Sequence, residues 1–244
     1  SIVLMVDNSP SVMILPTSFF DFTQEANDFY FPPLIGTYLR ILRVTVFLLS
    51  LFITPAWYLM VSVPDRLPGW LDFLSSPEPV SLSLLSQLLV VEFLIDVLKL
   101  ASLNTPDSLS NSFSMLGALV LGEAAVSAGF VSTPAIIIVA FSGICLYTVP
   151  NFTETGSILR WLFLIVAGSI GPFGIVLLVA FIIYYLLSAD AFGMPLLAPF
   201  SPFVAHDLRD SLVKYNMQSL KQRPRLFRSP NKTRLKSADE KGED

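Results

Sequence analysis

The sequence holds one cysteine and one histidine, and only 14% of its 244 residues are charged. A lone Cys145 excludes a disulfide within the chain. His206 has no metal-ligand companions, and Cys145 sits far from it in an apolar run, so no Cys/His metal cluster is expected. No nucleophile–base pair stands out, so an enzyme is not expected and no cofactor is implied. Internal repeats are also missing, which weakens a secondary transporter reading. Ile2–Val6 is too short for the apolar region of a signal peptide, and a start partway through a longer protein is expected.

Soluble domains are about a quarter charged, and here the shortage is regional. Ten of the fifteen Lys and Arg lie beyond His206. The middle of the chain consists of long apolar runs with few charges. About 18 or more uncharged apolar residues suffice to span a bilayer. Val44–Val63 carries no charge, Phe113–Val131 carries only Glu123, and Trp161–Leu187 carries none. Ala135–Val149 is uncharged but shorter.

These runs predict an all-α polytopic membrane protein. Four spans are expected, near 38–63, 113–131, 134–150 and 158–188, within a membrane domain over 38–204. Arg40 and Arg43 stand at the entry of the first span, and residues 205–244 form a basic tail. By the positive-inside rule both flanks are cytoplasmic, which requires an even number of crossings. That topology leaves Arg160 alone outside. Trp57, Tyr58, Trp161, Tyr184 and Tyr185 fall near span ends, as interfacial anchors do. Pro172, with Gly168, Gly171 and Gly174 around it, predicts a bend in the last span.

Residues 1–37 read differently. Two short apolar runs flank Asp7-Asn8-Ser9-Pro10, which predicts a β-hairpin. A lone hairpin is marginal in water, so it reads as the C-terminal end of a cytoplasmic soluble domain. Thr17–Phe31 mixes acids with aromatics and reads as an amphipathic helix beside the bilayer.

The segment 82–100 is helical in pattern but contains Glu92, Asp96 and Lys99. At about 100° per residue the three share one narrow stripe. Either the helix lies flat at the interface, or its stripe faces water in an oligomeric pore. Ser114, Ala118, Gly122, Ala125 and Gly129 form a small-residue face that admits close helix packing, within a subunit or between subunits. Glu123 lies off that face. It is either a cation-attracting carboxylate in a pore or a hydrogen-bonded structural one. Glu92, Asp96, Lys99 and Glu123 are therefore the pore-associated candidates. The basic tail has the composition to meet anionic lipid.

Several motifs, in order, resemble the GerA spore germination protein family, which includes germinant receptor A subunits and the SpoVAF branch. They begin with Val6-Asp7-Asn8-Ser9-Pro10 and Pro16-Thr17-Ser18-Phe19-Phe20. Arg40-Ile-Leu-Arg43 and the acidic–acidic–basic Glu92, Asp96 and Lys99 follow. Leu116–Val126, around Gly122-Glu123, is the most specific. Phe192-Gly193-Met-Pro195, Ala198-Pro199-Phe-Ser-Pro202 and Arg223-Pro224 close the series. Lys99-Leu100-Ala101 departs from the family's usual Arg-Glu-Ala, and Leu196 stands where Tyr is common.

The resemblance implies the membrane half of a channel-forming subunit that releases cations during germination. It implies a homo-oligomer in the bacterial spore inner membrane, in contact with membrane lipid. Its implied partners are a transporter-like B subunit and a lipoprotein C subunit, or a small SpoVAF-type membrane partner, with no nucleic acid. The rival reading is a non-conducting membrane scaffold that docks a nutrient-sensing partner.

Overall fold

The computed structural model describes residues 2–8, 12–15, 17–25, 28, 30–63, 80–104, 117, 120–191, 193–198 and 200–201. Among these the protein is mostly helical. The chain divides into two compact units, residues 1–44 with 180–244, and residues 45–179.

In the first unit, β1 (Ile2–Met5) pairs antiparallel with β2 (Val12–Leu15) in the register Ile2↔Leu15 to Met5↔Val12. Asn8 in the turn has φ +65, a conformation its short amide side chain tolerates. The expected hairpin is present. The amphipathic helix expected over Thr17–Phe31 is not. A 3-10 turn, Phe19–Thr23, takes its place among the described residues. The Ser18 N–H donates to Asp21 Oδ2 at 2.7 Å, and Gln24 turns extended at φ −92, ψ 141. Side-chain bonding of this local kind competes with a helical ladder.

The helix α1 (Pro33–Ser62) is 30 residues long, about 45 Å at 1.5 Å per residue. Pro33 suits a first helical turn, where its missing N–H costs nothing. After α1 come α2 (Leu84–Asn104), a π-helical turn Val120–Ala124 and a single α-turn Ala125–Ser127. Then follow α3 (Thr133–Tyr147), a 3-10 turn Pro150–Phe152, α4 (Thr153–Ser169) and α5 (Pro172–Ser188). A two-residue ribbon, β3 (Asp190–Ala191) with β4 (Met194–Pro195), is the last regular element among the described residues.

The expected spans map onto these elements unevenly. Among the described residues α1 alone is long and apolar enough to cross a bilayer. The count is two if α3 and the Pro150–Ser169 stretch, bent by 113°, form one span. The run expected over 158–188 as one bent span is two helices. Gly171, at φ +79, stands between them, where a side chain would be strained. Of the run expected over 113–131, residues 113–116, 118 and 119 lie outside the described residues, and the described stretch from Val120 is helical only as far as Ser127.

Residues 45–179 have their own core. Trp57 of α1, Leu88 and Val91 of α2, Val131, Ala135, Ile138 and Val139 at and within α3, and Leu164 of α4 are all buried together. Phe52 meets Phe163 edge-on at 5.1 Å. Ser142 Oγ donates to the Ser50 carbonyl at 2.7 Å, tying α3 to α1. Close approach depends on glycines outside the small-residue face read from the sequence. A Cβ on Gly156 would collide with Leu146, and one on Gly168 would lie 2.5 Å from Leu85. Trp57, expected as an interfacial anchor, is instead 5% exposed in this core.

Candidate functional site

The outward face of α2 is apolar. Val90, Phe93, Val97 and Leu100, spaced three, four and three, are all exposed, Leu100 by 62%. The charged stripe is on the other side, against α4. This placement inverts the usual soluble pattern of apolar-in and polar-out.

Four contacts form a ladder of three rungs. At one end Glu92 Oε2 meets Arg160 Nη2 at 2.5 Å, with both side chains 2% exposed. In the middle Asp96 accepts two bonds. The Trp161 indole N–H donates to Oδ2 at 2.9 Å, and the Ser157 hydroxyl donates to Oδ1 at 3.1 Å. At the far end Lys99 Nζ lies 3.4 Å from Glu154 Oε1, a pair open to solvent on the Glu154 side. Numbers rise along α2 as they fall along α4, so the helices are antiparallel. Arg160 also donates to the Val139 carbonyl at 3.4 Å, which brings α3 into the site. Gly143 of α3 faces the same guanidinium, and a Cβ there would meet Arg160 Nη1 at 3.9 Å, an ordinary van der Waals contact.

Burying an ion pair is costly unless hydrogen bonds complete it. Here Glu92 Oε1 and Arg160 Nε have no hydrogen-bond partner among the described residues. The ladder is thus well paired in the middle and incompletely bonded at its most buried rung.

The sequence reading left Arg160 alone on the outer side. The structure buries it against Glu92 instead. Trp161, read as an interfacial anchor, spends its N–H on Asp96. A signal for this was present. Glu154, Ser157 and Arg160-Trp161 recur every three residues. Read backwards against Glu92, Asp96 and Lys99, they offer the opposite sign or a donor at each step. Neither the flat-helix nor the pore-facing alternative for the stripe took account of a partner helix in the same chain.

The remaining candidates are elsewhere. Glu123 is exposed on the π-helical turn, and no hydrogen bond or ion pair reaches it among the described residues. A π-turn inside an α-helical run often marks a functional position. Of the small-residue face, Ser114 and Ala118 lie outside the described residues. A Cβ on Gly122 would meet open space, and Ala125 packs on the core of residues 45–179. The helix stops at Ser127, and Gly129 at φ +66 belongs to the following turn rather than the helix face.

The first unit has a second charged cluster. Arg43 donates to the carbonyl of Thr23 and to Asp28 Oδ2 through Nη1, at 2.8 and 2.7 Å. Its Nη2 reaches Glu25 Oε2 at 3.0 Å. Burial opposes ionisation of Asp28. The Arg43 hydrogen bond and charge, the Glu25 N–H and the Arg40 charge outweigh it and hold the carboxyl below its ordinary value. The Phe19 N–H donates to the Leu196 carbonyl at 2.8 Å, and the Phe20 and Phe200 rings lie 4.9 Å apart. The segment before α1 and the segment after α5 are therefore held side by side.

Comparison with known proteins gives the family. The model of the Bacillus/Clostridium GerA spore germination protein matches residues 1–226. The chain is 32% identical to the uncharacterized membrane protein YfkQ of Bacillus subtilis over 93% of its length and 45% of the relative's. It is 32% identical to spore germination protein KA of Bacillus subtilis, covering 95% of this chain and 43% of that one. Stage V sporulation protein AF of the same organism is 28% identical, over 96% of this chain and 48% of the relative. The chain spans about half the length of the curated relatives it matches. No solved structure matches it significantly. With the family model covering nearly the whole chain, the protein belongs to the GerA spore germination family.

Proposed function

We propose that this chain is the membrane half of a subunit that conducts cations out of the spore core during germination, without enzymatic activity. In this reading it works as a homo-oligomer in the spore inner membrane. It sits beside a transporter-like B subunit and a lipoprotein C subunit, or a small SpoVAF-type partner. The germination role is supported by the family match and by spore germination protein KA among the relatives. The observation that carries conduction is Glu123, exposed on a π-helical turn with no hydrogen bond or ion pair among the described residues, and the placement of charge on α2 supports the membrane setting. α2 turns apolar residues outward and its charges inward, as lipid-embedded helices do.

Within this reading the α2–α4 ladder is the rigid wall of the conduit, and its charges are consumed holding that wall. Glu123, exposed and unpaired, is then the carboxylate that faces the passage when subunits assemble. Four crossings remain the proposed topology. The bond from Phe19 to Leu196 supports an even number, because it holds the segments flanking the membrane region together. The test is K⁺ and Na⁺ flux through proteoliposomes holding the full complex. Glu123→Gln should lower cation flux while leaving the oligomer intact. Unchanged flux in that variant removes Glu123 from the passage.

The scaffold reading keeps one observation in its favour, namely that Glu92, Asp96 and Lys99 are all taken up by α4. It predicts that the purified oligomer has no continuous axial passage, which imaging the particle decides.

A further inference from the structure

Within residues 45–179 lies a cavity of about 600 Å³ that has no part in the ladder. That volume is ordinary for a small-molecule site. Trp57, Tyr58 and Val61 form one wall, Leu82 and Leu85 another, and Ser132 a third. Among the described residues no charged side chain lines it.

The frame is fixed by directional bonds. The Gln87 amide donates to the Leu82 carbonyl at 2.8 Å and accepts from the Ser132 N–H at 3.0 Å. The Ser81 N–H donates to the Gly129 carbonyl at 3.1 Å. Two wall residues have polar atoms left over. Trp57 and Ser132 are 5% and 2% exposed, and neither Trp57 Nε1 nor Ser132 Oγ has a hydrogen-bond partner among the described residues. Buried groups of this kind are costly unless a guest bonds them. The first turn of α2 and the cap of α3 also border the cavity. Helix N-termini carry partial positive charge, which favours an electron-rich atom.

We propose that this cavity binds a small uncharged molecule with an apolar body and one hydrogen-bonding oxygen, a carbonyl or a hydroxyl. The body packs on Trp57, Val61 and Leu85. The oxygen takes up the Trp57 N–H and the Ser132 hydroxyl, with a small shift of the wall to admit it. A charged ligand would be desolvated against described walls that carry no countercharge, which favours an uncharged one. Such an oxygen is supplied either by the ester region of a membrane lipid or by a free solute.

The experiment is photolabelling of the full-length protein in detergent with two probes. One is a diazirine-bearing octanol, and the other is an uncharged diacylglycerol with the diazirine in its acyl chain. Labelled peptides are mapped by mass spectrometry. Saturable labelling confined to Trp57–Ser62 and Leu82–Gln87 is expected, competed by unlabelled octanol or lipid. The probe that saturates identifies the source. Ser132→Ala, which deletes one oxygen, and Trp57→Phe should each weaken competition roughly fivefold to tenfold, the loss of one hydrogen bond. Val61→Phe, which fills the space, should abolish labelling. Unsaturable labelling spread over the apolar exterior overturns the proposal. So does unchanged competition in Ser132→Ala with an unchanged melting temperature, which means that the cavity holds water only.

Discussion

Glu92 on α2 and Arg160 on α4 meet at 2.5 Å where neither side chain is more than 2% exposed. Sixty-eight residues apart in sequence, they share a single buried rung, and each keeps one polar atom without a hydrogen bond among the described residues. Their pairing decides how the rest of the α2–α4 interface responds to substitution.

Removing one partner should be worse than removing both. Arg160→Ala or Glu92→Ala leaves an uncompensated buried charge and should cost about 3–5 kcal/mol. Glu92→Leu with Arg160→Met should recover most of that loss, since apolar replacements of similar volume are often neutral. Melting temperatures of the purified single and double variants in detergent measure the coupling. A double variant as unstable as the singles would show that the rung is held by something other than this pair.

Asp96 joins two donors at once. Asp96→Ala loses two charge-assisted bonds and should destabilise by roughly 1.5–3 kcal/mol per bond at most. Asp96→Asn keeps one acceptor and should lose less. The Trp161 fluorescence maximum should move in both variants, because its N–H partner changes. An unmoved emission spectrum in a background with both Trp57→Phe and Trp70→Phe, where Trp161 is the one tryptophan left, would argue against the Trp161–Asp96 bond.

The cluster around Arg43 should be acid-sensitive in one direction only. Asp28 is held below the ordinary value of 3.8. A depressed carboxyl contributes its full stability above the unfolded pKa and loses it as pH falls through the folded one. The clamp is therefore complete at neutral pH and fails only below about pH 3.8. Asp28→Asn should flatten the acid limb of a thermal stability curve measured from pH 7 to pH 3. A limb as steep as that of the parent protein assigns the acid loss to other groups.

Glycines at helix contacts should be less replaceable than those on open faces. Gly156→Val forces a side chain onto Leu146 and should cost about 1–3 kcal/mol by overpacking. Gly122→Ala meets open space within the chain and should leave thermal stability nearly unchanged. If Gly122→Ala instead dissociates the oligomer on size-exclusion chromatography, that surface is a subunit contact.

Much of the first unit was legible because its signals are local. Asp7-Asn8-Ser9-Pro10 announces the turn, and Asn8 takes the left-handed conformation such residues tolerate. The α2 stripe was legible as well, since the spacing of Glu92, Asp96 and Lys99 sets a common face. Its partner was missed because rules for membrane charges treat a lone Arg160 as facing water. Opposite charges on two distant helices meet only through tertiary packing. The Thr17–Phe31 helix failed for a different reason. Composition suggested an amphipathic surface, while Ser18 and Asp21 were already bonded to each other across three residues. The long run near the C-terminal end had the right length and apolarity for one span, but Gly171 and Pro172 end a helix more surely than they bend it.

The ladder between α2 and α4 also constrains how the sequence can drift. A change at position 92 is tolerated only with a matching one at position 160, and the same reciprocity is weaker at 96 with 161 and weakest at the open Lys99–Glu154 rung. Descendants of this chain should therefore trade charge in pairs, most strictly at the buried end. The departure at Lys99-Leu100-Ala101 falls at the permissive end, where solvent rather than a partner settles the account.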